Sequence, residues 1–228
     1  MAYTNIDDPS AYFQIALYTG NSGTLAVTND GNSDLQPDWV WTKKRSDTSH
    51  HALVDSSRGA TKQIYTNLQA AEETVSGVTA FNTDGFTLGS NGTANLNGAT
   101  FVGWQWKANG GTTATNNDGS TTSTVQANTT AGFSIITYTG TGSETTFGHG
   151  LGVAPEVIIA KKRGGSASWV VWFKAFNNSD GYLVLNATDS IEEATTIFTN
   201  TDPTSSVITL GSSSTVNQNT VTHLMYAF

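Results

Sequence analysis

Apolar residues along the chain come in short runs at a spacing of two, separated by turn residues, and almost nowhere at helical spacing. The turns are marked by Asn29-Asp30-Gly31, Thr83-Asp84-Gly85, Asn91-Gly92, Asn97-Gly98, Asp118-Gly119 and Asp180-Gly181, dipeptides that tolerate positive φ and close hairpins. Between them the pattern predicts strands at 13–18, 38–43, 51–55, 85–88, 99–106, 133–138, 156–161, 169–173, 182–186, 207–210 and 221–228, filled with β-branched and aromatic residues. Helical hints are confined to 67–74 and 190–197. Alternation puts Trp39, Trp41 and Lys43 on one face of their strand and Val40 and Thr42 on the other. Val102, Trp104 and Trp106 likewise oppose Phe101, Gly103 and Gln105. Apolar residues on both faces predict central strands covered on each side, and the class is all-β.

The blocks recur. Phe13-Gln-Ile-Ala-Leu-Tyr-Thr-Gly20 returns as Phe133-Ser-Ile-Ile-Thr-Tyr-Thr-Gly140, and Pro37-Asp-Trp-Val-Trp-Thr-Lys-Lys-Arg45 as Pro155-Glu-Val-Ile-Ile-Ala-Lys-Lys-Arg163. Glu72-Glu73 matches Glu192-Glu193, Thr87-Leu-Gly-Ser90 matches Thr209-Leu-Gly-Ser212, and the strand at 100–106 matches 222–228. Five blocks in one order predict two tandem homologous β-sandwich modules, jelly-roll-like, at 1–108 and 131–228. The intervening 109–130, ringless and rich in Ser, Thr, Asn and Gly, reads as a linker or an edge strand.

Composition narrows the chemistry. The 228 residues include no Cys, which excludes a disulfide scaffold, a thiolate metal site and a cysteine nucleophile. A net charge of −8 repels phosphate backbones, so no nucleic-acid partner is expected. No apolar run is long enough to cross a membrane as a helix, and MAYTNIDDPS has neither the basic nor the apolar region of an export signal.

Few residues are left to do chemistry. Of the four histidines, His50 and His51 are neighbours pointing to opposite faces of a strand, and His149 and His223 stand apart, so no metal or other cofactor is expected. Gly148-His-Gly-Leu-Gly152 and Gly164-Gly165-Ser166 fit neither a nucleotide loop nor a nucleophile elbow. A glycan depolymerase would need two carboxylates across a cleft, for which Asp7-Asp8, Asp55, Glu72-Glu73 and Glu192-Glu193 are the candidates. Paired acids in loops are ordinarily solvated, and Asp55 with Arg58 suits a charge-assisted turn. The second module lacks that pair, having Ala175-Phe-Asn-Asn178 there. Lys43-Lys44-Arg45 and Lys161-Lys162-Arg163 suit either an anionic polysaccharide or the guarding of a strand end. Trp41, Trp106 and Trp172 are the candidates to stack on sugar rings, although Trp within a strand is more often core. Sequons at Asn91, Asn128, Asn177 and Asn186 are expected by chance in so Asn- and Thr-rich a chain.

Ile6-Asp-Asp-Pro-Ser10, Tyr12-Phe-Gln14, Tyr18-Thr-Gly20, Leu35-Gln-Pro-Asp-Trp-Val-Trp41, His51-Ala-Leu-Val-Asp-Ser56, Arg58-Gly59, Phe81-Asn-Thr-Asp-Gly-Phe-Thr-Leu-Gly89 and Trp104-Gln-Trp-Lys-Ala108 form an ordered set. With Gly132-Phe-Ser-Ile-Ile-Thr-Tyr-Thr-Gly140 and Gly148-His-Gly-Leu-Gly-Val-Ala-Pro155, this set resembles a β-rich domain of unknown function. That domain recurs in tail fibres and other virion proteins of tailed bacteriophages, especially aquatic ones. The resemblance brings no catalytic residues. It implies a non-enzymatic structural protein on the exterior of a phage particle, assembled in host cytoplasm and forming a tail fibre or appendage. Its expected partners are other virion proteins, copies of itself (a trimer by analogy with fibres) and host-surface polysaccharide. The alternatives are a capsid decoration or head-fibre protein and a stand-alone lectin-like pair, the latter requiring an exposed Trp.

Overall fold

The computed structural model describes residues 6–176 and 178–228. Among them the chain is all-β, its sheets built from antiparallel pairs. It divides into two compact units, one running up to Thr66 with Glu72–Gly111, the other comprising Asn67–Ala71 with Thr112–Phe228.

The first unit contains β1 (Phe13–Thr19), β2 (Leu25–Val27), β3 (Trp39–Lys44), β4 (Ala52–Asp55), β5 (Lys62–Tyr65), β6 (Glu73–Thr74), β7 (Val78–Phe81), β8 (Phe86–Leu88), the one-turn helix α1 (Gly92–Asn95) and β9 (Thr100–Trp106). Its large sheet has the order β1-β9-β3-β4-β5-β6 and its small sheet β2-β8-β7. Ala16, Val40 and Val54 from the large sheet meet Val27, Val78, Phe86 and Leu88 from the small one in a single buried cluster, which makes the unit a sandwich.

The second unit contains β10 (Ala114–Asn116), β11 (Ser123–Asn128), β12 (Phe133–Thr139), β13 (Thr145–Gly148), β14 (Val157–Lys162), β15 (Val170–Phe173), β16 (Gly181–Val184), β17 (Glu192–Glu193), β18 (Val207–Leu210), α2 (Ser214–Asn217) and β19 (Thr222–Ala227). Its large sheet runs β10-β11-β12-β19-β14-β15-β16-β17, with β13-β18 as a separate pair. Ile136, Tyr138, Ile158, Trp172 and Met225 pack with Phe147, Ile208 and Leu210 from that pair.

One alternative is settled and two expectations change. Residues 109–130 take the edge-strand form, since β11 pairs along β12 and β10 along β11. The helical hints at 67–74 and 190–197 instead hold β6 and β17, two-residue exposed strands at sheet ends. Their Glu residues read as a helix start but sit where charge blunts a sheet edge. The order β3-β4-β5-β6 is a meander in one sheet, whereas a jelly roll would send successive strands to alternate sheets.

The repeated sequence blocks repeat their contacts. Tyr18 donates its hydroxyl to the Ala94 carbonyl at 2.9 Å, and Tyr138 to the Val216 carbonyl at 2.7 Å. Asn95 donates to the Gly23 and Gly89 carbonyls and accepts from the Asn21 amide. Asn217 donates to the Ser143 and Gly211 carbonyls and accepts from the Thr141 amide. Glycine ends each Tyr-Thr-Gly because a Cβ on Gly20 would lie 2.3 Å from the Leu96 carbonyl oxygen, and one on Gly140 2.3 Å from that of Gln218. Asn217→Ala is expected to cost about 2 kcal/mol, because it strands buried backbone groups rather than merely removing bonds. The midpoint of urea unfolding measures it, and a loss under about 0.5 kcal/mol would mean that water replaces the amide.

Candidate functional site

The antiparallel register of the first unit stacks rings on the large-sheet face opposite the small sheet. Phe13, Trp106 and Trp39 lie side by side across β1, β9 and β3, followed by Ile15, Trp104 and Trp41. Ring centroids are 4.4 Å apart for both Phe13–Trp106 and Trp39–Trp106, and 5.5 Å for Trp41–Trp104. The face opens towards β1, where Ile15 is 47% and Leu17 64% exposed. Trp41 and Trp106, two of the expected sugar-stacking residues, share this face and are half-buried. Trp41 also donates its indole N–H to Thr66 Oγ1.

Trp172 belongs to the other unit and is 3% exposed, packed in the core with its N–H on the Ser179 carbonyl. It presents no face to a sugar. Alternation alone could not show this, because each side of a central strand reads as apolar.

Several groups that could react are bonded within the protein itself. The buried Asp38 carboxylate accepts from the amides of Ala108, Gly110 and Gly111 and from the Ser56 hydroxyl. Gly110 and Gly111 take positive φ to aim those amides inward, so this anion-binding nest is filled by the chain itself. Asp55 and Arg58 form the expected charge-assisted turn. Both side chains are fully buried and Glu72 extends the pair, with Arg58 Nε 2.5 Å from Asp55 and Nη1 2.9 Å from Glu72.

The second unit repeats this theme with other residues. Lys161 is wholly buried, donating to the carbonyls of Gln69 and Ala167, and burial pushes its amine down to about 8. Lys44 is buried as well, so neither Lys-Lys-Arg run forms a three-charge surface patch. His149 accepts the Leu151 amide at Nδ1 and directs Nε2 to the Thr204 carbonyl, and burial lowers its pKa. His50 is exposed beside Tyr65, 5.1 Å between rings. Glu192 accepts the Tyr182 hydroxyl at 2.5 Å. No group of three or more His, Asp or Glu that could hold a metal occurs among the described residues. Of the sequon asparagines, Asn91 caps α1, Asn128 accepts from the Thr130 and Ala131 amides, and Asn186 accepts from the Trp169 amide. Asn177 lies outside the described residues.

A shallow groove of about 520 Å³ in the second unit is lined by Ser120, Thr122, Thr124, Thr137 and Thr139 with Arg163. Sequence reading missed it because β11 carries too little apolar character to announce a strand. Hydroxyls on neighbouring strands with one guanidinium can hydrogen-bond a polyol or acidic sugar, and among the described residues no His, Asp or Glu lines the groove beside them.

Residues 8–228 match the family described as Domain of unknown function (DUF7483). No curated protein matches the chain, and no solved structure does.

Proposed function

The chain belongs to the DUF7483 family, and we propose that it is a non-enzymatic structural protein of a bacteriophage virion, two tandem homologous β-sandwich modules that build a tail fibre or other external appendage. One observation carries the non-catalytic part: Asp38, Asp55, Arg58, Lys161 and His149 are buried and bonded within the protein. Charge is spent on fixing loops, as a rigid assembly part needs. The apolar face at Ile15 and Leu17 gives other copies or other virion proteins a surface to cover. The phage setting rests on the resemblance of the ordered motifs.

Antibody raised against the chain and imaged on purified particles by electron microscopy tests the reading. Label on tails or fibres is the expected result. Label on the shell would make the chain a capsid decoration or head-fibre protein, and no label on any particle would sink the virion assignment.

Host-glycan contact is a second reading, favoured by the partly exposed Trp41 and Trp104 and by the hydroxyl groove. It predicts that a sugar found by glycan-array screening loses at least tenfold in affinity on Trp41→Ala, through the lost stacking surface. Binding unchanged by Trp41→Ala and by Thr137→Val would remove both sites from it.

A further inference from the structure

We propose that two copies of this chain join β1 to β1 antiparallel about a two-fold axis at Ala16, merging their large sheets into one. This specifies the self-association within the assembly reading above, and it concerns the purified protein whether or not the chain sits in a virion.

The end strands of the large sheets are not alike. β6 and β17 have two residues each and β10 has three, and β6 and β17 carry Glu73, Glu192 and Glu193. Short, charged ends of this kind resist edge pairing. β1 is seven residues long, reads Phe-Gln-Ile-Ala-Leu-Tyr-Thr, and has no charge, proline or register break against β9. None of the usual protections is built into it.

The chain also shows what such an edge accepts. β12, the counterpart of β1 in the sequence repeat, is paired along its other side by β11, with Gln126 opposite Ile135 and Thr124 opposite Thr137. Ile135 is fully buried, whereas Ile15 at the matching place is 47% exposed. Among the described residues no strand takes the position of β11 beside β1. A groove lined by Ile15, Ala16, Leu17, Thr28 and Asp30 borders it.

The register selects a second copy. The Lys107 amide bonds to the Tyr12 carbonyl and the Gly20 amide to the Ala99 carbonyl, which puts the even-numbered residues of β1 in exchange with β9. Phe13, Ile15, Leu17 and Thr19 therefore turn their backbone N–H and C=O groups to the open edge. A two-fold axis at Ala16 sets Ile15 opposite the partner's Leu17 and Phe13 opposite the partner's Thr19. All of these are bonding positions on both strands. The same register brings Ile15 and Leu17 of both copies into one apolar row on the exposed face.

Mass measurement by light scattering across a concentration series tests this. The expected result is a dimer with a dissociation constant on the order of micromolar, tightened by added salt because each copy carries −8. Leu17→Pro removes an outward N–H that β9 does not use, and Ile15→Lys with Leu17→Lys places charge on the edge. Each is expected to weaken the dimer at least tenfold with unchanged circular dichroism, whereas Val153→Lys, at another exposed apolar position, leaves it intact. A monomer at about 100 μM, a trimer, or a dimer indifferent to both edge variants would overturn the proposal. So would loss of the dimer in a chain starting at Ile6, which would assign the contact to residues 1–5. Particle labelling decides the virion reading independently.

Discussion

Arg58→Ala is expected to lower the stability of the first unit by about 3–5 kcal/mol, the cost of removing one partner from a buried ion cluster. The guanidinium has no exposed surface, and neither does Asp55, while Glu72 retains 14%. Besides the two carboxylates, Arg58 donates to the Lys62 carbonyl at 2.9 Å and the Leu53 carbonyl at 3.4 Å. Without it, two negative groups face each other and one has no water. Tryptophan fluorescence during urea unfolding is a suitable measurement, because Trp39, Trp41, Trp104 and Trp106 all lie in this unit. Arg58→Lys is expected to recover only part of the loss, since an ammonium cannot span the planar fork of contacts. Replacing all three charges together, as Arg58→Met, Asp55→Asn and Glu72→Gln, should destabilise less than Arg58→Ala alone. A cost for Arg58→Ala below about 1 kcal/mol would show that water reaches the cluster and screens it.

That cluster was legible in part. Asp55 and Arg58 stand three apart across a Ser-Ser-Arg-Gly turn, and local spacing sufficed to pair them. Glu72 was not legible as their partner, since its approach depends on β5 and β6 pairing, with Gln63 opposite Glu73. The same division holds throughout. Strands rich in rings and β-branched residues, such as β1, β9, β14 and β19, announce themselves by alternation. β10, β11 and β13 are mostly Thr, Ser, Asn and Gly, with Val125 and Phe147 as their only large apolar residues, and their strand conformation is imposed by neighbours already paired.

Burial of charge was the least legible feature. Lys161 is the first residue of a Lys-Lys-Arg run and reads as solvent-facing, yet its ammonium is closed in by carbonyls 6 and 92 residues away in sequence. The Asp38 nest is similar: Asn109-Gly110-Gly111 reads as the start of a flexible tether, but its amides are fixed on a carboxylate 72 and 73 residues earlier. Tyr-Thr-Gly was legible as a repeat before its purpose was, whereas the correspondence of Asn95 and Asn217 comes from their contacts in the structure. The recurrence of the Tyr-Thr-Gly glycine reflects a backbone approach so close that a Cβ fits in neither unit.

His223 supplies the second large effect, and it is a pH effect. The ring is fully buried, stacked on Tyr138 at 5.3 Å, with Nδ1 on the Val221 carbonyl and Nε2 towards the Gln218 amide. Burial, reinforced by Lys162, pushes its pKa down to about 4 from 6.5, outweighing the Val221 contact. Between those values the unfolded chain binds a proton that the folded chain refuses, so the stability that His223 contributes is complete above pH 6.5 and is lost as pH drops towards 4. The full loss is roughly 3 kcal/mol, and His149, lowered for the same reason, adds to it in the same direction. The first unit indicates how to remove the effect. At the matching position Phe101 stacks on Tyr18 at 5.2 Å, an uncharged ring in the same geometry. His223→Phe is therefore expected to fold, to keep the Tyr138 stack, and to flatten unfolding free energy against pH between 6.5 and 4, leaving the slopes of His149 and His51, whose pKa values burial also lowers. A variant as acid-sensitive as the parent would place the titrating group elsewhere.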